Sequence, residues 1–127
     1  MFRCVLPVAV AIAATLPVAA QVQREFPPSA LRGEIAFVSP PDVILNGAPA
    51  RLAPGARIRG ENNLLVTPGS LAGHKRVVHY TVEATTGLLM DVWLLRADEL
   101  ANEPWPTNVQ QAQAWSFDRA AQKWTKR

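Results

Sequence analysis

The amino-acid sequence predicts a small, mainly β domain, and three observations predict it. Short runs of β-branched and aromatic residues recur between residues 31 and 96. Asn46-Gly47, Pro54-Gly55 and Pro68-Gly69 separate those runs with residues suited to tight turns. The longest run, RVVHYTVEATTGLLMDVWLLR over residues 76–96, reads as two antiparallel strands about a three-residue loop.

That hairpin sets the frame for the rest. Its last loop position needs a left-handed residue, and Gly87 supplies one without a steric cost. With Gly87 there, Ala84 faces Leu88, Val82 faces Met90, Tyr80 faces Val92 and Val78 faces Leu94, an apolar wall throughout. The other face sets Glu83 against Leu89, Thr81 against Asp91, His79 against Trp93 and Val77 against Leu95. A slip of one residue would set Val82 against Asp91 and mix the faces, so turn chemistry and hydrophobic pattern agree. The second face is mixed rather than polar, which predicts a cover over part of it.

In chain order, residues 1–20 have a basic residue at Arg3, an apolar run from Cys4 to Ala14, and Val18-x-Ala20 before Gln21. This is a secretory signal peptide pattern and implies export, with the periplasm as the expected compartment. Pro7, Pro17 and the short run argue against a spanning helix, which needs ~20 apolar residues; membrane attachment arises only if the segment is retained. Residues 21–30, with Pro27-Pro28, read as a linker.

Residues 31–38 (LRGEIAFV) alternate, with Leu31, Gly33, Ile35 and Phe37 on one side. Gly33 inside a strand predicts a bulge or a close backbone approach. Val43-Ile44-Leu45 leads into the Asn46-Gly47 hairpin signal, and the return arm, residues 48–53, carries Pro49, which suits an edge strand. Ala53-Pro54-Gly55-Ala56 fits a type II turn into a short strand Arg57-Ile58-Arg59. Residues 64–67 make a further short strand, and residues 70–75 a polar connection.

Five or six strands in so short a chain favour a small antiparallel SH3-like or OB-like barrel over residues 31–100, which also removes exposed strand edges. Residues 101–127 form a tail. Residues 97–101 make one helical turn, Thr107-x-x-Gln110 opens a short helix as a capping box, and residues 115–118 and 122–125 pair as small strands, with a helix continued through Val109, Ala112, Ser116, Ala120 and Trp124 as the alternative. Three of the four tryptophans, Trp105, Trp115 and Trp124, lie in this tail and pin it over the His79/Trp93 face.

The order of a leader, LRGEIAFV, PGARIRGENN, and TTGLLMDVWLL followed by DEL resembles a group of short exported bacterial proteins of unknown function. The resemblance implies export and a small β-fold, and carries no active site.

Composition narrows the function classes. Removing Arg3 with the leader leaves twelve Lys and Arg against ten Asp and Glu, a net charge of +2 with no basic block, so nucleic acid is not an expected partner. Cys4, the only cysteine, leaves with the leader, so the mature chain has no disulfide and no thiolate chemistry.

His74 and His79 are the only histidines, and no serine sits in a G-x-S-x-G elbow. His79 with Asp91 and a serine would be needed for a small hydrolase, the outlying reading; a His79 stacked on Trp is the plainer one. Asp98, Glu99 and Glu103 fit a helix start better than a pair of glycosidase carboxylates. No metal or cofactor is expected.

The leading expectation is therefore a non-enzymatic interaction or structural module, with an unknown envelope protein or polymer as partner. It would bind at the strand edge of residues 48–53 or at the face of His79, Asp91 and Trp93. The alternative is an OB-like binder of oligosaccharide or another anionic polymer through Arg57 and Arg59, with aromatic stacking beside them.

Overall fold

The computed structural model describes residues 23–127; the expected leader with Cys4 and the first two residues of the expected linker lie outside the described residues. The strands β1 (Leu31–Ser39), β2 (Asp42–Leu45), β3 (Ala48–Arg59), β4 (Leu65–Val66), β5 (Lys75–Val82) and β6 (Leu89–Leu94) share one sheet. That sheet closes in the order β1-β2-β3-β6-β5 and back to β1, and β4 is added on β3. The protein is thus a closed five-stranded barrel with an extra strand, as expected for the class. One junction departs from the antiparallel expectation: β3 and β6 run parallel. The cause is connectivity. β5 runs antiparallel to β1, so its hairpin partner β6 arrives in the direction of β3.

In β1 the alternating residues Leu31, Gly33, Ile35 and Phe37 are all buried. Gly33 is a close approach: a Cβ there would stand 2.9 Å from a Tyr80 ring carbon and 2.9 Å from Asn46 Nδ2. The Asn46-Gly47 turn forms as the dipeptide dictates, with φ of 51° and 82°.

The return arm is not an edge, which corrects that expectation. β2 pairs residues 48–51, and Leu52 pairs with Leu89 on the opposite side. Pro49 is tolerated because its partner Ile44 lies one step beyond the Leu45–Ala48 pair that closes the turn; alternate pairs in an antiparallel ladder exchange no hydrogen bond. Nor does Pro54-Gly55 end a strand. β3 runs on to Arg59, and its register with β6 jumps from Leu52–Leu89 to Arg57–Asp91. Residues 53–56 are the irregularity that bends this long strand, with Gly55 at φ 80°.

The β5–β6 hairpin keeps the expected pairs Val78–Leu94, His79–Trp93 and Tyr80–Val92. Nearer the turn it differs. Val82 pairs with Leu89 rather than Met90, and Leu89, not Met90, enters the core. Gly87 holds φ 71° as expected, but the loop is longer: the Glu83 amide donates to the Leu88 carbonyl at 2.8 Å.

The barrel core gathers Ile35, Phe37, Val43, Leu52, Ile58, Val78, Tyr80, Leu89 and Val92 with their neighbours. The connection after β4 is a 3-10 turn, Pro68–Leu71, which contributes Leu71 to that core.

The tail comprises α1 (Ala97–Leu100), α2 (Val109–Ala114) and the pair β7 (Ser116–Asp118) and β8 (Lys123–Thr125). Asn108 caps α2 by accepting from the Gln111 amide at 2.8 Å. The tail packs through a second cluster of Phe26, Ala30, Leu95, Trp105 and Trp124, against which Val77, Trp93, Trp115 and Phe117 lie.

Phe26 and Ala30 belong to the stretch read as a linker. Its described part is instead a packed arm, with Arg24, Phe26 and Ala30 all buried. Among the described residues no helix is long and apolar enough to cross a membrane.

Candidate functional site

Register across the barrel lines up one row of outward residues: Arg32 on β1, His79 on β5, Trp93 on β6, Arg59 on β3 and Leu65 on β4. The mixed composition of this row predicted a cover, and the cover is uneven.

Over His79 it is complete, while Arg32 beside it is half-buried. Trp105 stacks on the His79 ring at 4.1 Å and Phe26 meets its edge at 4.4 Å. Trp105 is fixed in turn by donating from Nε1 to the Ala30 carbonyl at 2.9 Å. His79 is only 1% exposed. Arg32 donates from Nε (3.3 Å) and from a terminal nitrogen (3.2 Å) to His79 Nε2. Burial, reinforced by the Arg32 and Arg24 charges, pushes the imidazole pKa down to about 2. Nε2 is therefore a filled acceptor on a neutral ring, and the ring proton sits on Nδ1.

The cover stops at Trp93. Phe26 touches one edge of that indole, at 5.5 Å between ring centres. The rest of Trp93 lines a cleft of ≈ 520 Å³ with Arg59, Asn62, Asn63 and Arg96, and with Gln23, Arg24 and Glu25 of the arm. Three arginines and one carboxylate, Glu25, line it, but Arg24 is paired with Glu99 and Arg96 with Asp98 and Glu99, which leaves Arg59 as the lining arginine without an ion pair among the described residues. Asn62 and Asn63 occupy a tight turn between β3 and β4: the Asn63 amide donates to the Gly60 carbonyl at 2.9 Å, and Asn62 Oδ1 accepts from the Leu64 amide at 3.1 Å. This presents their amides beside Arg59, which donates to the Asn63 carbonyl at 3.4 Å.

The floor of the cleft is set by a buried ion pair. Arg24 donates from Nε to Glu99 Oε2 at 2.8 Å and from a terminal nitrogen to Glu99 Oε1. It also donates to the Gly60 carbonyl (2.9 Å) and the Leu94 carbonyl (2.8 Å). Glu99 Oε1 accepts from the Arg96 amide at 2.9 Å, closing the start of α1.

The residues singled out from sequence are thus divided. Trp93 and Arg59 are cross-strand neighbours in the open cleft. Arg57 is exposed one row away, across from Asp91. Asp91 is half-buried and accepts from Thr81 Oγ1 at 3.2 Å, so it does not pair with His79. His79 is walled off behind the same row.

Lys75 and Arg76 are spent on Glu34 (3.1 Å) and Glu61 (2.8 Å). Sequence reading missed Arg24, Arg96, Asn62 and Asn63. The only signal for them was polar residues next to Pro- and Gly-bounded strands, which most loops share.

Among the described residues no group of three or more His, Cys, Asp or Glu is placed to hold a metal ion. No family model matches the chain, and no curated protein or solved structure matches it.

Proposed function

We propose that the chain is an exported, non-enzymatic binding module of the OB-like kind, and that its ligand surface is the Trp93 cleft. The single observation that carries this reading is the side-by-side placement of Trp93 and Arg59 in a cleft lined by three arginines and three carboxamides. An indole gives a flat stacking surface, carboxamides suit hydroxyl groups, and guanidiniums fork onto carboxylates or sulfates. That chemistry fits an acidic oligosaccharide of the cell envelope. The Greek-key connectivity of the barrel is one on which such ligands are known to be bound. The sealed, neutral His79, whose Nε2 already accepts from Arg32, supports a binding rather than a hydrolytic role.

Titration of the mature chain with polygalacturonate tests it. Binding should weaken steeply with added salt and be lost in Trp93→Ala and Arg59→Gln, both of which should stay folded. Neutral dextran should not bind. Dextran binding as well as polygalacturonate, or no loss in either variant, would overturn the reading.

A second reading, a protein partner adding a strand to the barrel, is favoured by one observation. β4 is the last strand of the sheet, and Leu65 within it and Leu64 just before it are 65% and 66% exposed. Capture through that edge should hardly respond to salt and should be blocked by Leu65→Lys, which leaves the Trp93 cleft intact.

A further inference from the structure

Positive charge is distributed unevenly along the described chain. Residues 116–127 carry four Lys and Arg against one acid, Asp118, whereas residues 23–115 carry eight against nine. The side chains of residues 116–127 therefore sum to +3 and those of residues 23–115 to −1.

Arg119, Lys123, Lys126 and Arg127 form no block in the sequence, but the β7–β8 hairpin gathers them on one unit. Its register pairs Ser116 with Thr125, Phe117 with Trp124 and Asp118 with Lys123. Alternation along the strands turns Phe117 and Trp124 into the aromatic cluster and sets Lys123 on the outward face. Arg127 lies on that face too, since its Nε donates to Ser116 Oγ at 2.9 Å. Arg119 stands in the turn between the strands. All four cations are exposed, and among the described residues none of them is in an ion pair. On the barrel, by contrast, Arg51, Lys75 and Arg76 each meet a carboxylate. The hairpin's one acid, Asp118, is engaged within the turn, where it accepts from the Ala121 amide at 3.2 Å. Like charges gathered on one element repel one another and do not assist folding, so they suit an anionic partner.

The hairpin also meets the Trp93 cleft. Gln23, which lines that cleft, donates from its side chain to the Ala121 carbonyl in the hairpin turn at 3.5 Å. A depression of ≈ 310 Å³ beside them shares Gln23, Arg24 and Arg96 with the cleft and is also lined by Ala121, Gln122 and Lys123 of the hairpin. The open surface thus continues from Arg59 and Trp93 to Lys123.

We propose that the β7–β8 hairpin is a second contact for the acidic saccharide, so that the ligand is a polyanionic chain long enough to reach from Arg59 to Lys123 and Arg127 rather than a short oligosaccharide. This inference rests on the reading of the Trp93 cleft given above. The cleft supplies stacking and close hydrogen bonds, and the hairpin supplies charge alone. A chain held at Trp93 presents its next acidic units to the hairpin intramolecularly, at a high effective concentration, so a weak second contact adds to affinity without a second pocket.

The test is calorimetric titration of the mature chain with trigalacturonate and with polygalacturonate, compared at equal uronate concentration. Polygalacturonate should bind about tenfold more tightly or better. Joint Arg119→Gln, Lys123→Gln and Arg127→Gln should remove that advantage and leave trigalacturonate within about twofold of the parent, as expected for separate contacts. These side chains are exposed, and an unchanged urea midpoint checks that the variant is folded. Arg119→Lys with Arg127→Lys should keep the advantage, because charge rather than guanidinium geometry is read there. Equal affinity of the parent for the two ligands would overturn the proposal and leave the cleft reading standing. So would a triple glutamine variant that still prefers the polymer. Binding of neither ligand by the parent would overturn both.

Discussion

His79 shows how a residue's position and its environment come from different parts of the chain. Its place opposite Trp93 follows from hairpin register, which the sequence makes legible through Gly87 and the apolar wall of Val78, Tyr80, Val92 and Leu94. Its burial comes from Phe26 and Trp105, remote in sequence, which no local pattern connects to it. The burial has a pH consequence with a definite sign. The unfolded chain protonates this imidazole near its ordinary value of 6.5, whereas the folded chain resists protonation until about 2. Below the ordinary value the unfolded state binds a proton that the native state does not, so stability falls as pH drops through this window. The slope from this one group approaches about 1.4 kcal/mol per pH unit. His79→Gln keeps an acceptor for Arg32 and removes the titration. The stability advantage of the parent chain over this variant should shrink as urea unfolding is repeated from pH 7 down to pH 4. A constant difference across that range would show that His79 is not titrating as described.

Elements formed where local turn chemistry had one solution and shifted where it had two. Asn46-Gly47 left the chain no choice, and the hairpin there has the expected register. Pro54-Gly55 is equally compatible with a turn and with a bend inside a strand, and barrel closure selects the bend because β3 must reach both β2 and β6. In the β5–β6 hairpin, Gly87 adopts its left-handed conformation, yet the pairing beside it differs from the simple count. Two steps from Tyr80 to Val82 oppose three from Leu89 to Val92, so one extra residue is absorbed opposite Thr81. The side chain of Thr81 makes this possible. Its Oγ1 accepts from the Asp91 amide at 3.2 Å and lies 3.2 Å from Asp91 Oδ2, to which it donates. Thr81→Val keeps the shape and removes both bonds. It should cost about 1–3 kcal/mol in urea unfolding and speed amide exchange at Asp91, while Thr81→Ser should stay near the parent. Equal stability of the valine variant would mean that the bulge is held by packing alone.

At the scale of the whole molecule, the barrel and the tail are joined by the arm that precedes β1. Arg24 reaches Glu99 of α1, the Gly60 carbonyl just after β3 and the Leu94 carbonyl at the end of β6, so one side chain ties the arm to three separate parts of the chain. Phe26 then seals the aromatic cluster, touching His79, Trp93 and Trp105. This is where sequence reading lost most: Pro27-Pro28 and the absence of periodicity look like a linker, because a segment fixed by one ion pair and one ring has no repeat to detect. Of the tail's tryptophans it is Trp105 that lies over the mixed face, against His79, and the cleft beside Trp93 has no signature in the sequence. The cleft is the gap left where the arm passes Trp93. The Arg24–Glu99 pair is buried at both ends, with side-chain exposures of 4% and 8%. Removing one partner leaves a desolvated charge, so Arg24→Met should cost about 3–5 kcal/mol in chemical unfolding. Replacing both, Arg24→Met with Glu99→Leu, should recover most of that loss, since a matched apolar pair carries no stranded charge. The double variant should nevertheless bind polygalacturonate less tightly than the parent, because Arg24 also lines the cleft and its carbonyl contacts hold the arm in register. A single variant as stable as the parent would show that the arm is held by Phe26 alone.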